Sequence, residues 1–108
     1  MTVKELAEAL SLEARTLPRP DAEVRSGYVG DMPSWVMGNA SEGCAWVTIL
    51  NNRNIAAVAV LLDMACVIVT EGAVVSDEVV GVAEAQDVNL LCTEDSSFHI
   101  VAKLAELL

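Results

Sequence analysis

Chemistry needs reactive side chains, and this chain has few. It carries one histidine, His99, and three cysteines, Cys44, Cys66 and Cys92. A nucleophile needs a base beside it, and no Cys–His spacing can be argued from a single histidine. His99, Lys103 and Glu106 recur at i, i+4 and i+7, a polar helical stripe, so His99 reads as a surface side chain rather than a general base or metal ligand. Cys66 and Cys92 sit at the ends of apolar runs and read as small hydrophobes. No basic residue stands near them in sequence to lower a thiol pKa. There is no GxxxxGK[ST] phosphate loop and no CxxC pair. Asp31 or Glu71 acting with an arginine is the remaining enzymatic option. No acid–base pair is visible, which makes catalysis the weakest reading.

Binding has more to offer. In Ser26-Gly27-Tyr28-Val29-Gly30-Asp31 two glycines precede a helix start, where backbone amides can approach an anion. The same segment also reads as a tight turn entering a helix. Arg15, Arg19, Arg25 and Arg53, four of the six basic residues, fall in loops of an otherwise acidic chain. They either line an anion site or pair with carboxylates such as Glu13, Asp21 and Glu23.

The elements that position these residues follow from periodicity and caps. Thr2–Leu10 reads as a helix with a capping box from Thr2 to Glu5. Leu12–Thr16 and Val24–Val29 are short candidate strands. Asp31 is expected to cap a helix to Asn39, with Pro33 in its first turn. Ala45–Leu50, Cys66–Thr70 and Val88–Cys92 read as strands. Asn54 is expected to cap a helix to Met64, Ser76 one to Gln86, and Asp95 or Ser96 one to Leu107. On that last helix Phe98, Val101, Ala102 and Ala105 form the expected apolar face.

Strand–helix alternation at this spacing predicts an α/β domain over residues 1–108. Its sheet has about four to five mainly parallel strands with helices on both faces. In such sheets ligands bind beyond the carboxyl ends of the strands. The expected ligand site is therefore Gly27, Tyr28, Gly30 and Asp31 with Asn52, Arg53, Thr70 and Glu71.

Composition sets the outer limits. A chain of 108 residues that is 54% apolar folds as one domain with a real core. A net charge of −10 argues against nucleic acid and anionic membranes as partners. The longest apolar run, Ile55–Val69, is interrupted by Asp63 and is too short to span a bilayer. With an acidic N-terminal helix and an odd cysteine count, a cytoplasmic location with reduced thiols is expected. Ile55 to Leu62 are apolar all round the Asn54–Met64 helix, so a homo-oligomeric contact is expected there.

With these residues in place, a resemblance emerges. The run from Asp21 to Asp31 is similar to the signature of the DRTGG domain family, an Asp-Arg-x-Val-Thr-Gly-Gly core with a Tyr-Val-x-Asp-like continuation. Asp21, Val24 and Gly27 match; Ala22 replaces the Arg, Arg25 the Thr and Ser26 the first Gly. Thr2-Val3-Lys4-Glu5-Leu6, Asn54-Ile55 and Thr70-Glu71-Gly72 also resemble small members of the family. The resemblance implies an α/β domain similar to one in HPr kinase/phosphorylase, in phosphotransacetylases and beside CBS domains. It implies a regulatory or ligand-binding role, with no established activity, and no cofactor is expected. The expected function is thus a non-catalytic module that oligomerises and senses a small anionic metabolite or nucleotide. The alternative is an adaptor subunit of a larger redox or kinase assembly, with Trp35 and Met37 exposed as its interface anchors.

Overall fold

The computed structural model describes all 108 residues. Helix α1 (Val3–Ala9) leads into strand β1 (Glu13–Thr16), β2 (Ser26–Val29), α2 (Pro33–Asn39) and β3 (Cys44–Thr48). Then come α3 (Asn54–Leu61), β4 (Cys66–Val69), α4 (Asp77–Ala85), β5 (Leu90–Cys92) and α5 (Ser97–Leu107). The five strands form one sheet in the order β1-β5-β4-β3-β2. Strands β2 to β5 are parallel, and β1 closes the far edge antiparallel to β5.

The parallel strands follow one another across the sheet without reversal. Right-handed crossovers then put every connecting helix on the same face. Accordingly α2, α3 and α4 pack on one side, where Trp46, Val67, Val69 and Leu90 form the floor. The opposite face, floored by Ala45, Val47, Ile68 and Leu91, would be bare without further cover. The two terminal helices supply it, through Val3, Leu6, Ile100 and Leu104. The central strands β3 and β4 are buried at every position, as doubly covered strands must be.

Helix ends follow a shared device. After α1, α3 and α4 the chain passes through a left-handed residue, Ser11 (φ 54), Asp63 (φ 50) and Asp87 (φ 57). In each case the next amide bonds back to the helix: Leu12 to Ala7, Met64 to Ala59 and Val88 to Ala83. These are Schellman closures made without glycine. They explain why α3 stops at Leu61 rather than at the expected Met64: Asp63 turns left-handed, and Met64 drops into the core.

Three expectations need correction. Asp31 does not cap α2. Met32 occupies the N-cap position without a side-chain bond, and Asp31 lies one residue too early. Asn54 does not cap α3 either; it is the first helical residue, preceded by Arg53. The turn is held by Asn52, whose Oδ1 accepts from the Asn54 amide at 3.0 Å. On α5 the buried stripe is Ile100 and Leu104, while Phe98 is 85% exposed. The spacing allowed two apolar stripes on this helix, and packing against the sheet selected the aliphatic one.

Candidate functional site

The carboxyl ends of the parallel strands carry the expected polar residues, but most are already bonded within the fold. The Asp31 carboxylate accepts from Thr48 Oγ1 at 2.8 Å and from the Ile49 amide at 2.9 Å through the same Oδ1. It thereby ties the end of β2 to the end of β3. Thr70 is fully buried, and its hydroxyl lies 2.6 Å from Ser97 Oγ. Glu71 accepts from the Ser97 amide at 2.8 Å, at the start of α5, where a carboxylate favourably meets the helix dipole. Arg53 reaches Glu78 at 3.6 Å, with both side chains largely exposed.

The two expected glycines have packing reasons. A Cβ on Gly27 would lie 2.8 Å from Leu104 Cδ2, so Gly27 lets α5 settle onto β2. A Cβ on Gly30 would meet the Tyr28 ring at 3.2 Å, and the Gly30 carbonyl accepts from Trp46 Nε1 at 2.9 Å. Gly27 and Tyr28 share a small apolar groove beside α5. The eight expected residues thus fall into three places: the β2–α5 groove and β2–β3 junction, the Asn52–Arg53 turn, and the Thr70–Glu71 junction with α5. They do not enclose a common cavity.

The largest opening lies at the same end of the sheet, one strand further over. A cleft of about 620 Å³ is bounded by Gly72–Val75 after β4, Cys92–Asp95 after β5, and Ser11, Glu13 and Arg15 around β1. Its lip is a tight turn. Glu71 (φ 64) and Gly72 (φ 69) are both left-handed, and the Ala73 amide bonds to the Thr70 carbonyl at 3.2 Å. Positive φ at both central residues is the type I′ pattern. The loops after β4 and β5 are stitched by Glu71 N–H to Asp95 O at 2.9 Å and Gly72 N–H to Thr93 O at 3.1 Å.

Arg15 is the cation of this cleft, with its side chain 26% exposed. Nη1 donates to the Val75 carbonyl at 3.2 Å, while Glu13 and Asp77 stand further off at 3.5 and 3.7 Å. A guanidinium has five N–H donors, so most of its capacity is not used in close bonds. Glu13, Glu94 and Asp95 give the same cleft carboxylate acceptors. The Cys92 thiol also borders it. Burial pushes that thiol's pKa up, and the neighbouring Arg15 pulls the other way. The sequence marked Arg15 as informative, but only the antiparallel pairing of β1 with β5 carries it to the strand ends.

The remaining arginines divide between the two readings that the sequence left open. Arg19 pairs with Asp63 at 3.6 Å, a partner distant in sequence. Arg25 has no carboxylate within ion-pairing distance, and Glu23 instead takes the N-terminal amine at 2.7 Å. His99 is exposed, 4.0 Å from Asp95, in line with a surface role. Trp35 and Met37 are 63% and 41% exposed on α2.

A mainly parallel sheet flanked on both faces by helices, with a crevice at the strand carboxyl ends, defines a small, doubly covered α/β domain. The chain belongs to the DRTGG domain family, whose model matches residues 5–107. Among solved structures it is similar to the CBS and DRTGG domains of the regulatory region of Clostridium perfringens pyrophosphatase, complexed with the activator diadenosine tetraphosphate. The TM-score is 0.72 at 22% identity, covering 95% of this chain and 45% of that one. The chain therefore spans less than half of that regulatory region. A search among curated proteins finds no match. No helix is long and apolar enough to cross a membrane.

Proposed function

We propose that this chain is a cytoplasmic, non-catalytic regulatory module that binds a small metabolite or nucleotide bearing an anionic group, and that it works as an oligomer. The observation that carries the ligand reading is the 620 Å³ cleft with Arg15 at its wall. Its volume falls in the range of small-molecule sites. Arg15 offers donors for a phosphate or carboxylate. Glu13, Glu94 and Asp95 accept from hydroxyl or amino groups, and a nucleotide has both kinds of group. The relative whose regulatory region is complexed with a nucleotide activator supports the same class of ligand. In this reading the contacts shift from Gly27, Tyr28, Gly30, Asp31, Asn52 and Arg53 to Arg15, Gly72 and Thr93. Thr70 and Glu71 shape the lip between them. Contact between copies is expected on the outer stripe of α3, where Ala57, Val60 and Leu61 are exposed.

Thermal-shift measurements with AMP, ADP, ATP and acyl phosphates test this reading. A ligand at a hundredfold excess over its Kd adds about 2.7 kcal/mol of stability. Arg15→Ala should keep the far-ultraviolet circular dichroism and lose the response. A flat response across the whole panel removes the ligand reading. The exposure of Trp35 and Met37 favours a second reading, an adaptor held by a larger assembly. It predicts no response to small anions, and a Trp35→Ala chain that fails to co-purify with a subunit the wild-type chain retains.

A further inference from the structure

We infer that the cleft beside Arg15 selects its ligand by charge: it takes one phosphate or carboxylate group and rejects polyphosphates, with Glu13, Glu94 and Asp95 setting the limit. The inference rests on the reading that this cleft binds a small anionic ligand, and it narrows the class of that ligand.

The cleft holds one cation. Among its 11 lining residues Arg15 is the only basic one, against the carboxylates of Glu13, Glu94 and Asp95. Lys4, Arg19, Arg25, Arg53 and Lys103 take no part in its wall. Arg15 is itself flanked by opposite charge. Nε has Glu13 at 3.5 Å, Nη2 has Asp77 at 3.7 Å, and Nη1 donates to the Val75 carbonyl at 3.2 Å. The two carboxylates stand at loose ion-pair separations rather than in good hydrogen bonds. Their side chains are largely exposed, so they can yield to an arriving anion. One phosphate or carboxylate then gains paired N–H donors from the guanidinium.

The loop after β5 carries the other two carboxylates. Glu94 has no cation within ion-pairing distance, and Asp95 has only His99, at 4.0 Å. The loop is fastened to the lip of the cleft. The Asp95 carbonyl accepts from the Glu71 amide at 2.9 Å, the Thr93 carbonyl accepts from the Gly72 amide at 3.1 Å, and Thr93 Oγ1 accepts from the Asp95 amide at 3.1 Å. Glu94 lies against that lip: a Cβ on Gly72 would stand 3.8 Å from its Cγ. The acidic residues are thus part of the built wall.

A first anionic group has Arg15 to bind. A second has no cation left to meet and shares the cleft with carboxylates. Sites that hold polyphosphates answer each added charge with further cations, a metal ion or convergent backbone amides. Here a net charge of −10 over the whole chain adds to the repulsion of each further phosphate. Hydroxyl and amino groups on the rest of the ligand suit the same carboxylates, which accept from them. The class that fits is a metabolite with a single anionic group on a donor-bearing body, such as a nucleoside monophosphate.

Titration calorimetry in EDTA at low salt tests this with AMP, ADP, ATP, diadenosine tetraphosphate and acetyl phosphate, and circular dichroism is the control for folding. The tightest ligand should be AMP or acetyl phosphate, and each phosphate added to AMP should raise Kd at least about fivefold. Added salt should shrink that penalty by screening it. Glu94→Gln combined with Asp95→Asn should tighten ATP at least about tenfold and change AMP by less than about threefold. Glu94→Gln alone carries this arm if the double variant does not fold. ATP or diadenosine tetraphosphate bound as tightly as AMP overturns the charge limit and leaves the ligand reading standing. A penalty unchanged in the variants does the same, because it would then be one of size. Binding of none of the five removes both.

Discussion

Asn89 is 2% exposed at the start of β5, and it does the work of several backbone bonds. Its Nδ2 donates to the Arg19 carbonyl at 2.7 Å and to the Ala65 carbonyl at 3.0 Å. Its Oδ1 accepts from the Arg19 amide at 2.9 Å. One side chain therefore fastens the proline-bracketed segment at Arg19 to the amino ends of β4 and β5. Replacing it with alanine strands three backbone groups. The Ala65 carbonyl lies in the buried interior and loses about 1–3 kcal/mol of satisfaction. The two Arg19 groups are half-buried and regain some water, for about 0.5–1 kcal/mol each. Asn89→Ala should then destabilise by about 3–4 kcal/mol, a large share of the 5–15 kcal/mol typical of a domain. At this size the midpoint temperature should fall by about 15 °C. Urea denaturation followed by circular dichroism measures it, and the slope against urea should be unchanged because the exposed area is the same. A loss under about 1 kcal/mol would refute the argument, showing that the segment around Arg19 re-forms its bonds elsewhere.

Three further outcomes can be checked. Asp87 is exposed at φ 57 with no hydrogen bond from its side chain, so Asp87→Gly should relieve left-handed strain. Set against the greater freedom of glycine when unfolded, the net gain is about 0.5 kcal/mol, and a loss of stability in urea would contradict the Schellman geometry. Cys44 and Cys66 are buried with their pKa raised by desolvation, while Cys92 is half-buried. Alkylation of the native protein at mildly alkaline pH, read by mass spectrometry, should modify Cys92 first; equal labelling of all three would mean that the sheet opens readily. The Glu5 carboxylate accepts from the Thr2 amide at 2.8 Å, which holds its pKa below the usual range. Its support for α1 is therefore full above the unfolded value of about 4.3 and is lost as pH falls through the lower folded value. An NMR titration should find Glu5 titrating below that reference.

The fold was largely legible in the chain. Continuous apolar runs such as Cys66–Val69 can be satisfied only by cover on both faces, and Thr2, Ser76 and Ser96 cap their helices as their side-chain chemistry requires. Periodicity and capping are local, so they survive in a one-dimensional reading. The cap assignments at Asp31 and Asn54 failed because an Asp or Asn before a helix has other partners available. Asp31 found the end of β3, which no local pattern reveals.

The candidate site was legible only in its general position, at the carboxyl ends of the strands. Residue types determined that loops after β3, β4 and β5 would be polar. The fold decided which of those polar groups remained free: Thr70 and Glu71 were drawn into anchoring α5, while Arg15 was delivered to the cleft by β1 pairing with β5. It also decided the fate of the apolar surplus. By itself the sequence determined only that the last helix carries apolar residues at helical spacing, with Phe98, Val101, Ala102 and Ala105 read as its apolar face. Only the tertiary structure chose Ile100 and Leu104 for the core and left Phe98 in water. The physical reason is that burial is a competition settled by shape: Gly27 opens room for Leu104 on β2, and turning Leu104 inward turns Phe98 out.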